Sequence, residues 1–175
     1  VREAELATEE RLGASPLRTL VTRGNLALSY YHLGRIEDAL RLQREVYTGW
    51  QILSVSSEVL SSSALREAVG DSLAISVGNL TELLVAAREF EEAQSLAREK
   101  LPAIIDRHGP DHTLTLEVRT WYARALFLEG EDLSEAERVL EDVLRRSRRV
   151  LGEAHPDTER AREFLEEVRS ARADA

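Results

Sequence analysis

The sequence predicts an all-α protein, an α-solenoid of about three helix-turn-helix repeats with partial helices at its flanks. Three observations carry this expectation. Apolar residues recur at the 3.6-residue period, as in Leu73, Val77, Leu80, Leu84 and Ala87, and again in Phe90, Ala93, Leu96/Ala97, Leu101 and Ile104/Ile105. Similar segments return at a fixed interval, with 42 residues from Asn79 to Trp121. No alternating apolar–polar run marks a strand. One helix pair cannot bury its own apolar stripe, so neighbouring pairs must stack.

The copies align from the N-terminus onward. Gly13 to Leu20 opens the first, followed by Asn25-Leu26-Ala27, Tyr30, Gly34-Arg35 and Ala39. The second contributes Asn79-Leu80 and Phe90 to Ala93; the third runs from Gly109 through His112, Thr115, Trp121-Tyr122-Ala123 and Gly130 to Ala136. A partial fourth holds Leu151-Gly152, His155-Pro156, Thr158 and Phe164-Leu165. Each copy with the opening glycine places a threonine six residues later, at 19, 115 and 158. Ser15-Pro16 reads as an N-cap followed by proline in the first turn, and Ser134 with Glu137 has capping-box spacing. The expected division is 1–12 as the end of a preceding repeat, 13–53 as repeat 1 and 54–65 as a serine-rich insertion. Repeat 2 then covers 66–108, repeat 3 covers 109–151 and a capping helix covers 152–175. Six of the twelve residues at 54–65 are serine, which predicts a solvated inter-repeat loop; the alternative is a phosphorylatable or partner-contacting insertion.

The run Asn-Leu-Ala-x-x-Tyr-x-x-x-Gly-Arg-x-x-x-Ala at 25–39, with Leu-Gly-x-x-His-Pro-x-Thr at 151–158, resembles tetratricopeptide repeats of the kinesin light chain type. The resemblance extends from about residue 13 to 172. It departs most in the second copy, where Arg88 replaces the glycine before the second helix. It implies a non-enzymatic scaffold or adaptor that holds a protein or peptide partner on the concave face of the array.

In that register the first helices present Val21, Gly24, Leu28 and Tyr31; then Ile75, Gly78, Glu82 and Val85; then Glu117, Thr120, Arg124 and Phe127. Family members that grip a C-terminal carboxylate use lysine and asparagine where this chain has Gly24 and Leu28, or Gly78 and Glu82, so that clamp is absent. The resemblance assigns Asn25 and Asn79 to a peptide backbone, since a carboxamide both donates and accepts; the other reading has them bridge adjacent helices. The expected peptide site is therefore Asn25, Leu28, Tyr31, Asn79, Glu82, Arg124 and Phe127, more apolar than charged.

Composition narrows the function classes. The net charge of −9, with 32 acidic against 23 basic residues, argues against general nucleic-acid binding. Arg145-Arg146-Ser147-Arg148-Arg149 is expected to pair with Glu135, Glu137, Glu141 and Asp142, within two turns before it. Zero cysteines remove thiol chemistry and zinc-thiolate sites. No nucleotide, protease or hydrolase motif is found, and neither a catalytic site nor a cofactor is expected. His108 and His112 are four apart but separated by Gly109-Pro110, and His112 falls in register with His155, which assigns it to a turn rather than to a metal. No run of about 18 consecutive apolar residues predicts membrane insertion. Val1 to Leu12 lacks the pattern of a retained signal peptide, and the absence of Met at position 1 suggests a chain cut from something longer. Cytoplasm is the expected compartment, with an organelle after removal of a targeting peptide as the alternative. The expected role is an adaptor; the alternatives are a subunit built permanently into a large complex, or a sensor repeat of a multidomain enzyme.

Overall fold

The computed structural model describes residues 3–4, 15–130 and 132–174. Its described elements are helices α1 (Pro16–His32), α2 (Ile36–Ser54), α3 (Ser57–Ser61), α4 (Ser63–Ala86), α5 (Phe90–His108), α6 (Thr113–Glu129), α7 (Leu133–Val150) and α8 (Pro156–Ala173). They form two compact units, Val1–Ala87 and Arg88–Ala175. The boundary falls inside the segment 66–108 expected as repeat 2, between its two helices. The opening Gly13 of the first copy lies outside the described residues, as does the segment 1–12 apart from Glu3 and Ala4.

In the first unit α1 packs on α2 and α2 on α4, with the five-residue α3 tucked against both α2 and α4. Leu20, Val46, Trp50, Val59 and Val69 make one buried cluster there. The Leu20 side chain of α1 packs directly over Gly49 of α2, where an added Cβ would stand 2.4 Å from Leu20 Cδ2. In the second unit α5 packs on α6, α6 on α7, and α7 on α8, which also reaches α6.

The starts and stops follow the sequence closely. Ser15 accepts from the Arg18 N–H and Pro16 occupies the first turn. Gly34 and Gly130 adopt positive φ, 74° and 78°, at the turn inside each helix pair. Arg88 stands at the matching turn of the second copy with φ 65°, the only described non-glycine residue in that region. The glycine–threonine spacing has a structural cause at its third-copy instance: Thr115 Oγ1 donates to the Gly109 carbonyl at 2.8 Å, closing the turn before α6.

Two expectations are corrected. The serine-rich 54–65 is not a loop: it holds α3 and the start of α4, with Ser56 and Ser62 as N-caps accepting from the Val59 and Leu65 N–H groups. Val59 is 3% exposed, so this insertion contributes to the core. The cap of α7 is Asp132, which accepts from the Glu135 N–H at 2.8 Å, and Ser134 lies inside the first turn. A carboxylate placed one turn ahead of the amide supplies the stronger cap and starts the helix earlier. Separately, α4 is by length and composition long and apolar enough to cross a membrane, although no 18 consecutive residues are apolar. Of its most apolar window 56% is buried inside the protein, as in a core helix.

Candidate functional site in the first unit

A cavity of about 190 Å³ opens between α1, α2 and α4. Helical spacing builds it: Leu20, Gly24 and Leu28 face it from α1, Gln43, Val46 and Trp50 from α2, and Ser72, Ser76 and Asn79 from α4. Leu20, Val46 and Trp50 form a buried apolar floor, whereas Val21, Leu28 and Ile75 are 52%, 42% and 47% exposed at its mouth. Gly24 presents no side chain to the opening; a Cβ there would stand 3.9 Å from Val46 Cγ1.

The polar groups are few. Gln43 is buried, and its Nε2 donates to Ser76 Oγ at 3.0 Å and to the Ser76 carbonyl at 3.2 Å. Ser72 Oγ donates to the Ala68 carbonyl. The half-buried carboxamide of Asn79 makes no hydrogen bond among the described residues. The exposed Asn25 lines the mouth, and its backbone carbonyl accepts from Ser29 Oγ at 2.8 Å.

Of the residues expected at the site, Asn25, Leu28 and Asn79 are thus brought together around one cavity. Tyr31 and Glu82 belong to the same unit but do not line it; Tyr31 is half-buried, its ring 5.7 Å from that of His32. Three positions of the expected face, Gly78, Val85 and Thr120, are buried rather than presented to solvent. Gln43, Trp50, Ser72 and Ser76 were missed because the register reading considered one face of the first helices alone. Gln43 carried a signal nonetheless, as a carboxamide on the apolar stripe Ala39, Leu42, Val46 and Trp50.

Arg124 and Phe127 lie on α6 of the second unit. The Arg124 guanidinium pairs with Glu167 at 2.5 Å and stacks 4.4 Å from the Phe164 ring and 5.4 Å from that of Phe127. Trp121 meets Phe164 edge-on at 5.6 Å, and Arg160 stands over the Trp121 ring. The arginines of the basic cluster are all engaged by acids: Arg145 and Arg146 by Asp142, Arg146 and Arg149 by Asp111, and Arg148 by Glu153. Two of these acids, Asp111 in the turn before α6 and Glu153 in the turn after α7, do not come from the helical spacing the sequence suggested. His112 and His155 are N-caps of α6 and α8, each Nδ1 accepting a backbone N–H two residues on, so both serve the turns. The His108 and His112 rings stack at 4.7 Å.

Comparison with known proteins agrees with this architecture. A family model described as tetratricopeptide repeat matches residues 19–54 and 123–157. It passes over the middle of the chain, where α3 is inserted and Arg88 replaces the turn glycine. Among solved structures, a crystal structure of nearly identical tetratricopeptide-like repeats from a Podosopora anserina protein described as a kinesin light chain is similar. It is 23% identical with a TM-score of 0.63, over 99% of this chain and 84% of that one. That likeness shows the fold, an α-solenoid of tetratricopeptide-type helix pairs. No curated protein matches the chain.

Proposed function

We propose that this tetratricopeptide-repeat array is a non-enzymatic adaptor that holds a peptide segment of a partner protein across the first-unit cavity. Repeats of this kind mediate protein–protein interaction in general. The observation that supports the finer reading is the cavity itself, an apolar floor below exposed Val21, Leu28 and Ile75, flanked by the carboxamides of Asn25 and Asn79. Apolar side chains supply the anchoring area, and a carboxamide that both donates and accepts suits an extended backbone. Asn79 is read as peptide-facing rather than helix-bridging, because its carboxamide makes no hydrogen bond among the described residues.

Selection from a displayed random-peptide library tests this. The wild type should enrich a defined motif, and Leu28→Glu should lose at least tenfold in affinity for it while keeping its helicity. Enrichment unchanged in Leu28→Glu would move binding away from the cavity. A second reading, a subunit built into a larger assembly, is favoured by a separate apolar surface: Ile52, Val55 and Leu60 are 65%, 71% and 52% exposed around the α2–α3 turn. Stoichiometric co-purification that survives Leu28→Glu but not Val55→Glu would support it.

A further inference from the structure

The cavity floor holds one polar group that the peptide-site reading leaves unused. Gln43 is 1% exposed, and both hydrogen bonds of its amide nitrogen go to Ser76, which fixes the orientation of the carboxamide. Its Oε1 has no hydrogen-bond partner among the described residues, and it is not among the polar atoms walled off from solvent. It therefore opens into the cavity that Gln43 lines. A ligand that fills the cavity takes this acceptor out of reach of water, which is costly if the ligand brings no donor, whereas one that brings a donor avoids that cost. The walls around it, Leu20, Val46 and Trp50, are apolar. An engineered apolar cavity of about 150 Å³ accepts benzene, so the space here, about 190 Å³, takes a six-membered ring with one further polar atom.

We propose that the cavity receives a tyrosine side chain of the bound peptide, its phenol O–H donating to Gln43 Oε1 while its ring lies against Trp50. This rests on the reading of the cavity as a peptide site, and it names the anchor. An aliphatic or phenylalanine anchor would fill the same space but leave the Gln43 oxygen unpaired. The hydroxyl of tyrosine projects from the end of the ring, where a deep acceptor can meet it.

Two small probes separate the possibilities, p-cresol and toluene, titrated while the indole N–H resonance of Trp50 is followed by NMR. In a purely apolar cavity toluene binds the tighter of the two, because it is the less soluble in water. The expected result is that p-cresol binds at least as tightly as toluene. In Gln43→Leu the ratio of toluene to p-cresol dissociation constants should fall about fivefold to tenfold, the worth of one neutral hydrogen bond. The wild-type comparison decides alone if that variant does not fold. Toluene preferred several-fold by the wild type, or a ratio unchanged in folded Gln43→Leu, overturns the tyrosine assignment and leaves the peptide site standing. No shift of Trp50 with either probe overturns the anchor cavity itself, and the peptide selection then reports separately on whether that face binds at all.

Discussion

At the scale of single residues, the turns hold most of what distinguishes one copy from the next. Arg88 sits at φ 65° where the other described copies have glycine, a conformation that brings Cβ too close to the following carbonyl. Arg88→Gly should therefore raise stability, by about 1 kcal/mol, read as a higher urea midpoint at unchanged slope. The cap of α8 depends on an imidazole in the same way that others depend on a hydroxyl: His155 Nδ1 accepts the Asp157 N–H at 3.2 Å. His155→Ala should cost about 1 kcal/mol, and His155→Asp should restore most of it, since either side chain satisfies an otherwise open amide. Both residues could be singled out from the sequence, His155 through its repeat partner His112 and Arg88 through the glycine it replaces. The imidazole's role as a cap could not, because histidine is not among the preferred N-cap residues and only the geometry shows it accepting.

Among the elements, the packing of α1 on α2 sets two walls of the cavity, and Gly49 on α2 leaves room for the Leu20 side chain that lines it. A methyl group there would meet three atoms of the buried Leu20, at 2.4, 3.0 and 3.2 Å. Alanine is the better helix former by up to about 1 kcal/mol, yet forcing Leu20 aside costs about 1–3 kcal/mol. Gly49→Ala should thus destabilise by about 1 kcal/mol, and thermal unfolding checks the sign. Were propensity the stronger effect, the midpoint would rise instead. Helix existence and order were legible from periodicity, since amphipathic stripes in long helices are the strongest signal a sequence offers. The serine-rich segment was not, because serine favours both loops and N-caps and only burial of Val59 separates the two. The α7 start was misplaced from Asp132 to Ser134 for a related reason: two good caps lie within one turn of each other.

For the molecule as a whole, acidity conceals a dense pairing of arginines with carboxylates in the second unit. Asp142 is the best example. Burial pushes its carboxyl up, but hydrogen bonds from Arg146 and Arg119, with the charges of both, outweigh that and hold it at about 2, below its ordinary 3.8. A carboxylate with a depressed folded pKa adds stability that is complete above about pH 4 and vanishes as pH falls through about 2; the shift corresponds to about 2 kcal/mol. Asp142→Asn should therefore cost at least that at pH 7, and the gap from wild type should close as acid unfolding is followed down to pH 2. The alternation of acidic and basic residues was visible beforehand, but not which acids would be chosen: Asp111 reaches Arg146 and Arg149 only because the turn before α6 lies beside α7. The cavity was half legible for a similar reason, its α1 and α4 faces coming from register while Gln43 and Trp50 needed α2 in place. Helix α4 has one more consequence, for synthesis. A segment so apolar, arriving alone at the ribosome exit, resembles what targeting factors capture. Its docking surfaces on α2 and α3 precede it in the chain, so they have already left the tunnel when it emerges, and the order of translation hides the nascent helix as it appears.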